Sequence, residues 1–181
     1  MNVKEFWKYN FLTKEIQKIA ISDSVDSMDE IAISLPKGVY TTFRTYHQFF
    51  AIHLEAHFQR LKDSLALSNK FIDYKIEELK YPIREIILPL QKKERDYKIR
   101  IHIPLEDLNN CFLLYEEVTR YPESVFKNGV KVKTNSLQRE NPKAKLTQFI
   151  ESAHQEKQVL KQGDCEESLI LNADNEILEG L

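Results

Sequence analysis

The sequence predicts an α+β fold, with strands and helices mixed along the chain. Two stretches, 39–47 (VYTTFRTYH) and 96–105 (DYKIRIHIPL), alternate in side-chain character as strands do. A third stretch, 50–68, repeats leucine and phenylalanine at helical spacing. We therefore expect a β-sheet with at least one amphipathic helix packed against it.

Composition indicates an ordinary globular protein. The 181 residues are 42% hydrophobic and 30% charged, with a formal net charge of −2. This mixture argues against disorder, and the near-neutral charge offers no basic surface for nucleic acid or an anionic membrane. We see no apolar core of signal-peptide length and no run resembling a membrane span, and expect a cytoplasmic protein. Cys111 and Cys165 support neither a disulfide framework nor a zinc site.

The first part of the chain predicts mainly strands. Short aromatic and alternating runs between 5 and 22 predict two strands, and the acidic, serine-rich stretch 23–30 predicts an exposed loop. In strand 39–47 the alternation sends Tyr40, Thr42 and Arg44 to one face. This more polar face suits the lining of a site, but an exposed sheet face explains it equally well.

The helix predicted over 50–68 carries two histidines and an arginine. His53 and His57 are four residues apart on one helix face, a spacing that suits a metal. The zinc-protease pattern needs glutamate directly after the first histidine, where Leu54 stands, so we expect no metal site. By pattern alone, Arg60 is a solvated basic residue.

Residues 75–93 predict further helix, interrupted at Pro82 and Pro89. Proline lacks the backbone N–H and clashes with the preceding turn, so each should end or kink the helix. Strand 96–105 then directs its isoleucines to the core and its basic residues to the opposite face. A more buried strand follows over 111–118.

The region after these strands predicts a linker and a second domain. Charge, proline and loss of periodicity coincide at 119–126. An Asn-Gly pair then predicts a hairpin-type turn leading into strand 129–137. An Asn-Pro pair predicts the start of a helix over 141–163, and 167–180 predicts a β-hairpin.

Two ionisable residues of this last part, Lys145 and Glu179, have settings that suggest a function. By pattern alone, Lys145 is an ordinary lysine at a helix start, and Glu179 is a glutamate at a strand end. A decision between these interpretations needs the rest of the chain.

Five ordered motifs resemble the class IV aminotransferases, which are pyridoxal-phosphate enzymes of fold type IV. The motifs are LPKGVYTTFRTY at 35–46, HLEAHFQRLKDSLAL at 53–67, YKIRIHI at 97–103, RENPKAK at 139–145 and ESLILNADNEILEG at 167–180. Each alone is weak or moderate, whereas the ordered set spans nearly the whole chain. The family includes branched-chain and D-amino-acid aminotransferases and aminodeoxychorismate lyase.

The resemblance implies roles for several residues. Lys145 is similar to the lysine that forms the internal aldimine with pyridoxal 5'-phosphate. Arg60 is similar to the arginine that holds the cofactor phosphate, and Glu179 to the carboxylate against the pyridine nitrogen. On the substrate side the resemblance implies Tyr40, Arg44 and Arg100.

Lys133 competes with Lys145, because some relatives have a lysine followed by threonine. The spacing favours Lys145: 179 − 145 = 34 residues to Glu179 is close to the family's habit, whereas 179 − 133 = 46 is too many.

The resemblance also implies a two-domain architecture and an activity. We expect a complete small N-terminal domain over 1–118, a linker over 119–130, and the first part of a large cofactor-binding domain over 131–181, so that the chain is C-terminally truncated. The implied activity is amino-group transfer between an amino acid and a 2-oxo acid by a homodimer. The alternatives are a lyase of the aminodeoxychorismate type, towards which Lys133-Thr134 leans, and a catalytically silent domain.

Overall fold

A computed structural model describes residues 4–47, 50–93, 95–137 and 144–181 of the chain. These residues divide into two compact units. The first comprises the described residues up to 118 together with 144–147, and the second comprises those of 119–137 and 148–181. Both units combine helices with strands, which confirms the α+β class. The domain bounds 1–118 and 131–181 stay predictions.

A six-stranded antiparallel sheet forms the first unit, in the order β2-β1-β6-β5-β3-β4. Its strands are β1 (Lys4–Asn10), β2 (Ile16–Ile19), β3 (Gly38–Tyr46), β4 (Phe50–Ala51), β5 (Tyr97–Pro104) and β6 (Asn110–Glu117). The strands predicted over 39–47 and 96–105 are confirmed as β3 and β5. Their β-branched and aromatic residues suit a pleated surface with packed neighbours.

Helices α2 (Leu54–Leu67) and α3 (Lys80–Ile87) pack on one face of this sheet. The helical spacing in 50–68 buries Phe58, Leu61 and Leu65 against the β5 isoleucines, as predicted. Pro82 does not interrupt the helix, and that prediction is wrong. It lies in the first turn of α3, where its missing N–H breaks no helical bond.

A short helix, α1 (Met28–Ser34), covers the other face of the sheet, where the sequence predicted an exposed loop. Ser27 starts it: the Ser27 hydroxyl accepts the Glu30 N–H at 3.2 Å, and the Glu30 carboxylate accepts the Asp26 N–H. Met28 and Ile31 pack with Phe6 and Leu114 in a second apolar cluster. Strand β5 is therefore covered on both faces, and Arg100 and His102 of its basic face are buried.

The second unit has a three-stranded sheet in the order β7-β8-β9. Its elements are α4 (Glu123–Asn128), β7 (Val132–Asn135), α5 (Gln148–Lys161), β8 (Glu167–Leu171) and β9 (Ile177–Gly180). Strands β7 and β8 are parallel, with α5 between them in sequence, and β8–β9 is the predicted antiparallel hairpin. The apolar side of α5 buries Ile150, Ala153 and Leu160.

Two predictions about the edges of these elements differ from the structure. Asn128-Gly129 does not form a hairpin turn but ends α4, with Gly129 at φ 71°. An Asn-Gly pair tolerates positive φ, which a helix end needs as much as a hairpin does. The predicted helix start at Asn141-Pro142 lies outside the described residues, and the described helix begins at Gln148.

Candidate cofactor site

Residues 144–147 pair with the start of β3. The Tyr40 N–H donates to the Lys145 carbonyl at 2.9 Å, and the Thr147 N–H donates to the Gly38 carbonyl at 3.0 Å. The Gly38 N–H donates in turn to the Thr147 hydroxyl at 2.9 Å. Lys145 thus lies in an extended segment on the edge of β3, and its interpretation as a helix-start lysine is wrong.

A second contact ties Lys145 to α2. Its N–H donates to the Ser64 hydroxyl at 3.1 Å, and Ser64 is fully buried. Arg60 lies one helical turn before Ser64, so the two residues share a face of α2. The first unit therefore fixes the Lys145 backbone beside the turn of α2 that follows the exposed Arg60.

His57 is the titratable neighbour of Arg60 on α2. Its Nδ1 lies 2.8 Å from the Thr41 hydroxyl on β3. Partial burial lowers the pKa of His57, and the positive charge of Arg60 lowers it further. Of these two neighbours, Arg60 therefore carries the positive charge near neutral pH. In the described ranges, no group of three His, Cys, Asp or Glu side chains is placed to hold a metal ion.

The face predicted to meet substrate is organised around Arg100. Its Nη2 donates to Asp29 Oδ1 at 2.7 Å, and its Nε donates to the Thr42 hydroxyl at 3.1 Å. The guanidinium carbon lies 5.3 Å from the centre of the Tyr40 ring, within cation–π range. Arg100 is buried and already paired with α1, so it holds that helix and Tyr40 together.

Arg44, by contrast, is exposed on β3, with its guanidinium carbon 5.7 Å from the Tyr46 ring centre. The substrate-side roles of Tyr40, Arg44 and Arg100 stay predictions.

Three residues that shape this region went unnoticed in the sequence. They are Asp29, Ser64 and Thr147. For Asp29 a signal existed, because Ser-x-x-Glu at 27–30 is a helix-start pattern. Ser64 and Thr147 carry no comparable local signal, since their partners are 81 and 109 residues away.

Glu179 and the competing Lys133 both lie in the second unit. Glu179 is exposed on β9, in register with Ile170 of β8. Lys133 Nζ lies 2.7 Å from Glu156 Oε1 on α5, and the two side chains are partly buried. The choice between Lys133 and Lys145 as the reactive lysine stays a prediction.

Comparison with known proteins identifies the family and the fold of the chain. The family model described as amino-transferase class IV matches residues 38–181, and the chain belongs to the class IV aminotransferases. No curated protein sequence matches significantly.

Solved structures with the same fold include a hypothetical aminotransferase from Mycobacterium tuberculosis in a PLP-bound form, with TM-score 0.67 and 16% identity over 97% of this chain and 65% of that one. A protein from Thermotoga maritima assigned as a branched-chain amino acid aminotransferase has TM-score 0.64 and 19% identity over 97% and 60%. A branched-chain aminotransferase from Thermoproteus uzoniensis with norvaline has TM-score 0.63 and 17% identity over 97% and 62%. The chain thus spans less than two thirds of the length of these relatives.

The described part of the chain includes no helix with the length and apolarity needed to cross a membrane.

Proposed function

We propose that the chain carries the lysine and the phosphate-binding part of a pyridoxal 5'-phosphate site, and that it serves an aminotransferase moving an amino group between an amino acid and a 2-oxo acid. One observation carries the proposal. The Lys145 backbone is held by β3 on one side and by Ser64 on the other, and Ser64 belongs to the helix that presents Arg60.

The residues of the first unit fit such a cofactor. Arg60 is exposed, and a guanidinium meets phosphate oxygens at two points of its planar fork. His57 beside it has a lowered pKa, so its neutral imidazole does not repel the Arg60 guanidinium near neutral pH. The clamped backbone of Lys145 restricts the positions from which its amine can approach an aldehyde.

Lys145 has two tasks in this proposal. Its unprotonated Nζ would hold the cofactor through the aldehyde, with loss of water, since only a neutral amine is a nucleophile. Released by substrate, Nζ would take the proton from the amino acid's Cα as a general base and later return it as a general acid. Bound pyridoxal 5'-phosphate supplies the electron-withdrawing ring that accepts the electron pair left at Cα. Glu179 keeps the pyridine nitrogen protonated, a role that rests on the family resemblance.

Branched-chain amino acids are the substrates that we propose first. Two of the similar structures are named or assigned as branched-chain aminotransferases, which supports this choice by analogy of fold. D-amino acids are the second choice. We also propose a homodimer, the assembly that the family resemblance implies. The lyase alternative depended on Lys133-Thr134, and the ion pair between Lys133 and Glu156 gives it no further support.

Trapping of the reactive lysine tests the proposal. The chain is incubated with pyridoxal 5'-phosphate, reduced with borohydride and digested, and the labelled lysine is identified by mass spectrometry. We expect the label on Lys145 and its loss in Lys145→Ala. Lys133→Ala is the matched control and keeps the label on Lys145, because the contacts that hold the Lys145 backbone do not involve Lys133.

The proposal is contradicted if surface lysines are labelled as strongly as Lys145, or if the label is found only on lysines other than Lys145.

An amino-donor assay then separates the substrate classes. We expect L-leucine, and not D-alanine, to convert the bound cofactor to its amine form, which is followed by absorbance.

A further inference from the structure

We propose that Ser64 is a positioning residue that sets the distance between the Lys145 amine and the Arg60 guanidinium, an inference that rests on the proposed function. The Ser64 hydroxyl accepts the Lys145 N–H at 3.1 Å. No motif in the sequence marks this contact, which joins residues 81 positions apart.

The pairing of 144–147 with β3 departs from a regular ladder at Lys145. The bridge between Val39 and Leu146 is antiparallel, so Tyr40 and Lys145 face each other as a pair that would normally exchange two backbone bonds. One of them is present, from the Tyr40 N–H to the Lys145 carbonyl. The N–H of Lys145 instead donates to Ser64, which turns this peptide towards α2.

The surroundings make this bond persistent. Ser64 is fully buried, and its neighbours Leu61 and Leu65 belong to the apolar core. A hydroxyl in such a place needs a partner, because a buried polar group without one costs roughly 1–3 kcal/mol. The Lys145 N–H supplies that partner, so the bond fixes Lys145 and satisfies Ser64 at once.

The spacing of Arg60 and Ser64 along α2 connects the Ser64–Lys145 hydrogen bond to cofactor binding. Arg60 and Ser64 are four residues apart on α2, which separates their backbones by about 6 Å along the helix axis. The aldehyde and the phosphate of pyridoxal 5'-phosphate are also held at a fixed separation by one ring. A lysine fixed by Ser64 and an arginine one turn earlier can therefore reach the aldehyde and the phosphate of one molecule at the same time. A lysine without this bond would be in the right position only part of the time.

The test compares two aldehydes that differ only in the phosphate. Pyridoxal 5'-phosphate and pyridoxal are each reduced onto the chain over a range of concentrations, and the label on Lys145 is quantified. We expect Lys145 to favour the phosphorylated aldehyde in the wild-type chain. In Ser64→Ala this preference falls about tenfold, while labelling by pyridoxal itself changes less than about twofold.

Ser68→Ala is the matched control. Ser68 directly follows α2, and its hydroxyl donates to the Ser64 carbonyl at 2.9 Å rather than contacting Lys145, so its removal leaves the preference for phosphate intact. If Ser64→Ala fails to fold, Ser64→Cys replaces it in the test. A thiol is similar in size but only a weak hydrogen-bond acceptor, so we expect a smaller loss of the preference for the phosphorylated aldehyde.

Amide hydrogen exchange provides a readout without cofactor. Exchange at the Lys145 amide is expected to become about tenfold faster in Ser64→Ala and to stay unchanged in Ser68→Ala. Unchanged exchange in Ser64→Ala, or a preference for phosphate that survives there, overturns the role of Ser64. A wild-type chain without any such preference overturns the proposed function instead, so the two failures are distinguishable.

Discussion

Two ion pairs of equal length show how differently the two units hold their charged groups. In the first unit, Arg100 and Asp29 approach to 2.7 Å with side chains only 6% and 13% exposed. In the second, Lys131 and Asp164 approach to the same 2.7 Å with side chains 71% and 78% exposed. The distance is identical, but water screens only the second pair. Burial, rather than length, therefore decides what each pair contributes.

The same contrast extends to the proposed cofactor residues. Lys145 is held in the first unit by hydrogen bonds to Gly38, Tyr40 and Ser64 through its segment 144–147. Glu179 lies in the second unit on β9, whose Ile177 and Leu178 are 64% and 60% exposed. The lysine is thus fixed by a buried network, and the carboxylate lies on a surface strand.

Removal of one partner from the buried pair should have the largest effect. Asp29→Ala leaves the Arg100 charge buried without a counter-charge, and we expect the free energy of unfolding of the first unit to fall by about 3–5 kcal/mol. Trp7, the sole tryptophan, lies in β1, so its fluorescence during denaturation follows the first unit alone.

The matched control for this change is Asp164→Ala in the second unit. The Lys131 partner remains in water, so circular dichroism should detect no shift in the denaturation midpoint. Comparable losses in both variants would show that burial does not separate the two pairs.

His102 should give the next largest effect, which depends on pH. Its Nε2 donates to the Pro36 carbonyl at 2.9 Å, and its buried Nδ1 has no hydrogen-bond partner among the described residues. Burial lowers the pKa of His102 to about 4 from an ordinary value of 6.5, and the Arg100 charge adds to the lowering. Folding therefore favours the neutral imidazole.

The sign of the pH dependence follows from this lowered pKa. Between pH 6.5 and about 4 the unfolded chain binds a proton at His102 that the folded chain does not, so stability falls as the pH falls. Full loss amounts to about 3 kcal/mol. His102→Gln lacks this pH-dependent contribution. The difference in free energy of unfolding between wild type and variant, measured by Trp7 fluorescence, should therefore shrink as the pH falls from 6.5 to about 4. A constant difference between wild type and variant at all pH values would contradict the assignment.

The sequence predicted most elements whose signals are local, and it missed the contacts that Ser64 and Thr147 make with distant partners. Alternation in 39–47 and 96–105 and helical spacing in 50–68 predict β3, β5 and α2, because each element buries its own apolar side. Helix α1 went unpredicted although Ser27-x-x-Glu30 announced it, because the acidic residues nearby favoured a loop. Serine and acidic residues are typical both of solvated loops and of helix starts, so composition alone did not separate the two.

The candidate site divides in the same way. The family resemblance alone supplied Lys145, Arg60 and Glu179, whereas the extended backbone of Lys145 depends on Gly38 and Ser64, far away in the chain. No local pattern encodes such pairings, because they form only when the sheet and α2 have assembled.

Two glycines, one in each unit, give the smallest predicted difference. A Cβ at Gly38 would lie 2.4 Å from the Ile103 carbonyl oxygen and 2.6 Å from His102 Nε2, whereas a Cβ at Gly163 would meet nothing closer than 3.7 Å. Backbone atoms of β5 cannot yield as a flexible side chain can, so Gly38→Ala should lower the free energy of unfolding by about 2 kcal/mol. Gly163→Ala should be neutral or stabilise by up to about 1 kcal/mol, because alanine restricts the unfolded chain more than glycine does.

Because Gly38 also bonds to Thr147 through both its N–H and its carbonyl, a displaced Gly38 disturbs the segment that holds Lys145. We therefore expect faster amide exchange at Thr147 in Gly38→Ala but not in Gly163→Ala. Tryptophan fluorescence and circular dichroism during denaturation measure the two stabilities. If Gly38→Ala were as stable as wild type with unchanged exchange at Thr147, the close approach of β3 to β5 would not be what anchors the lysine segment.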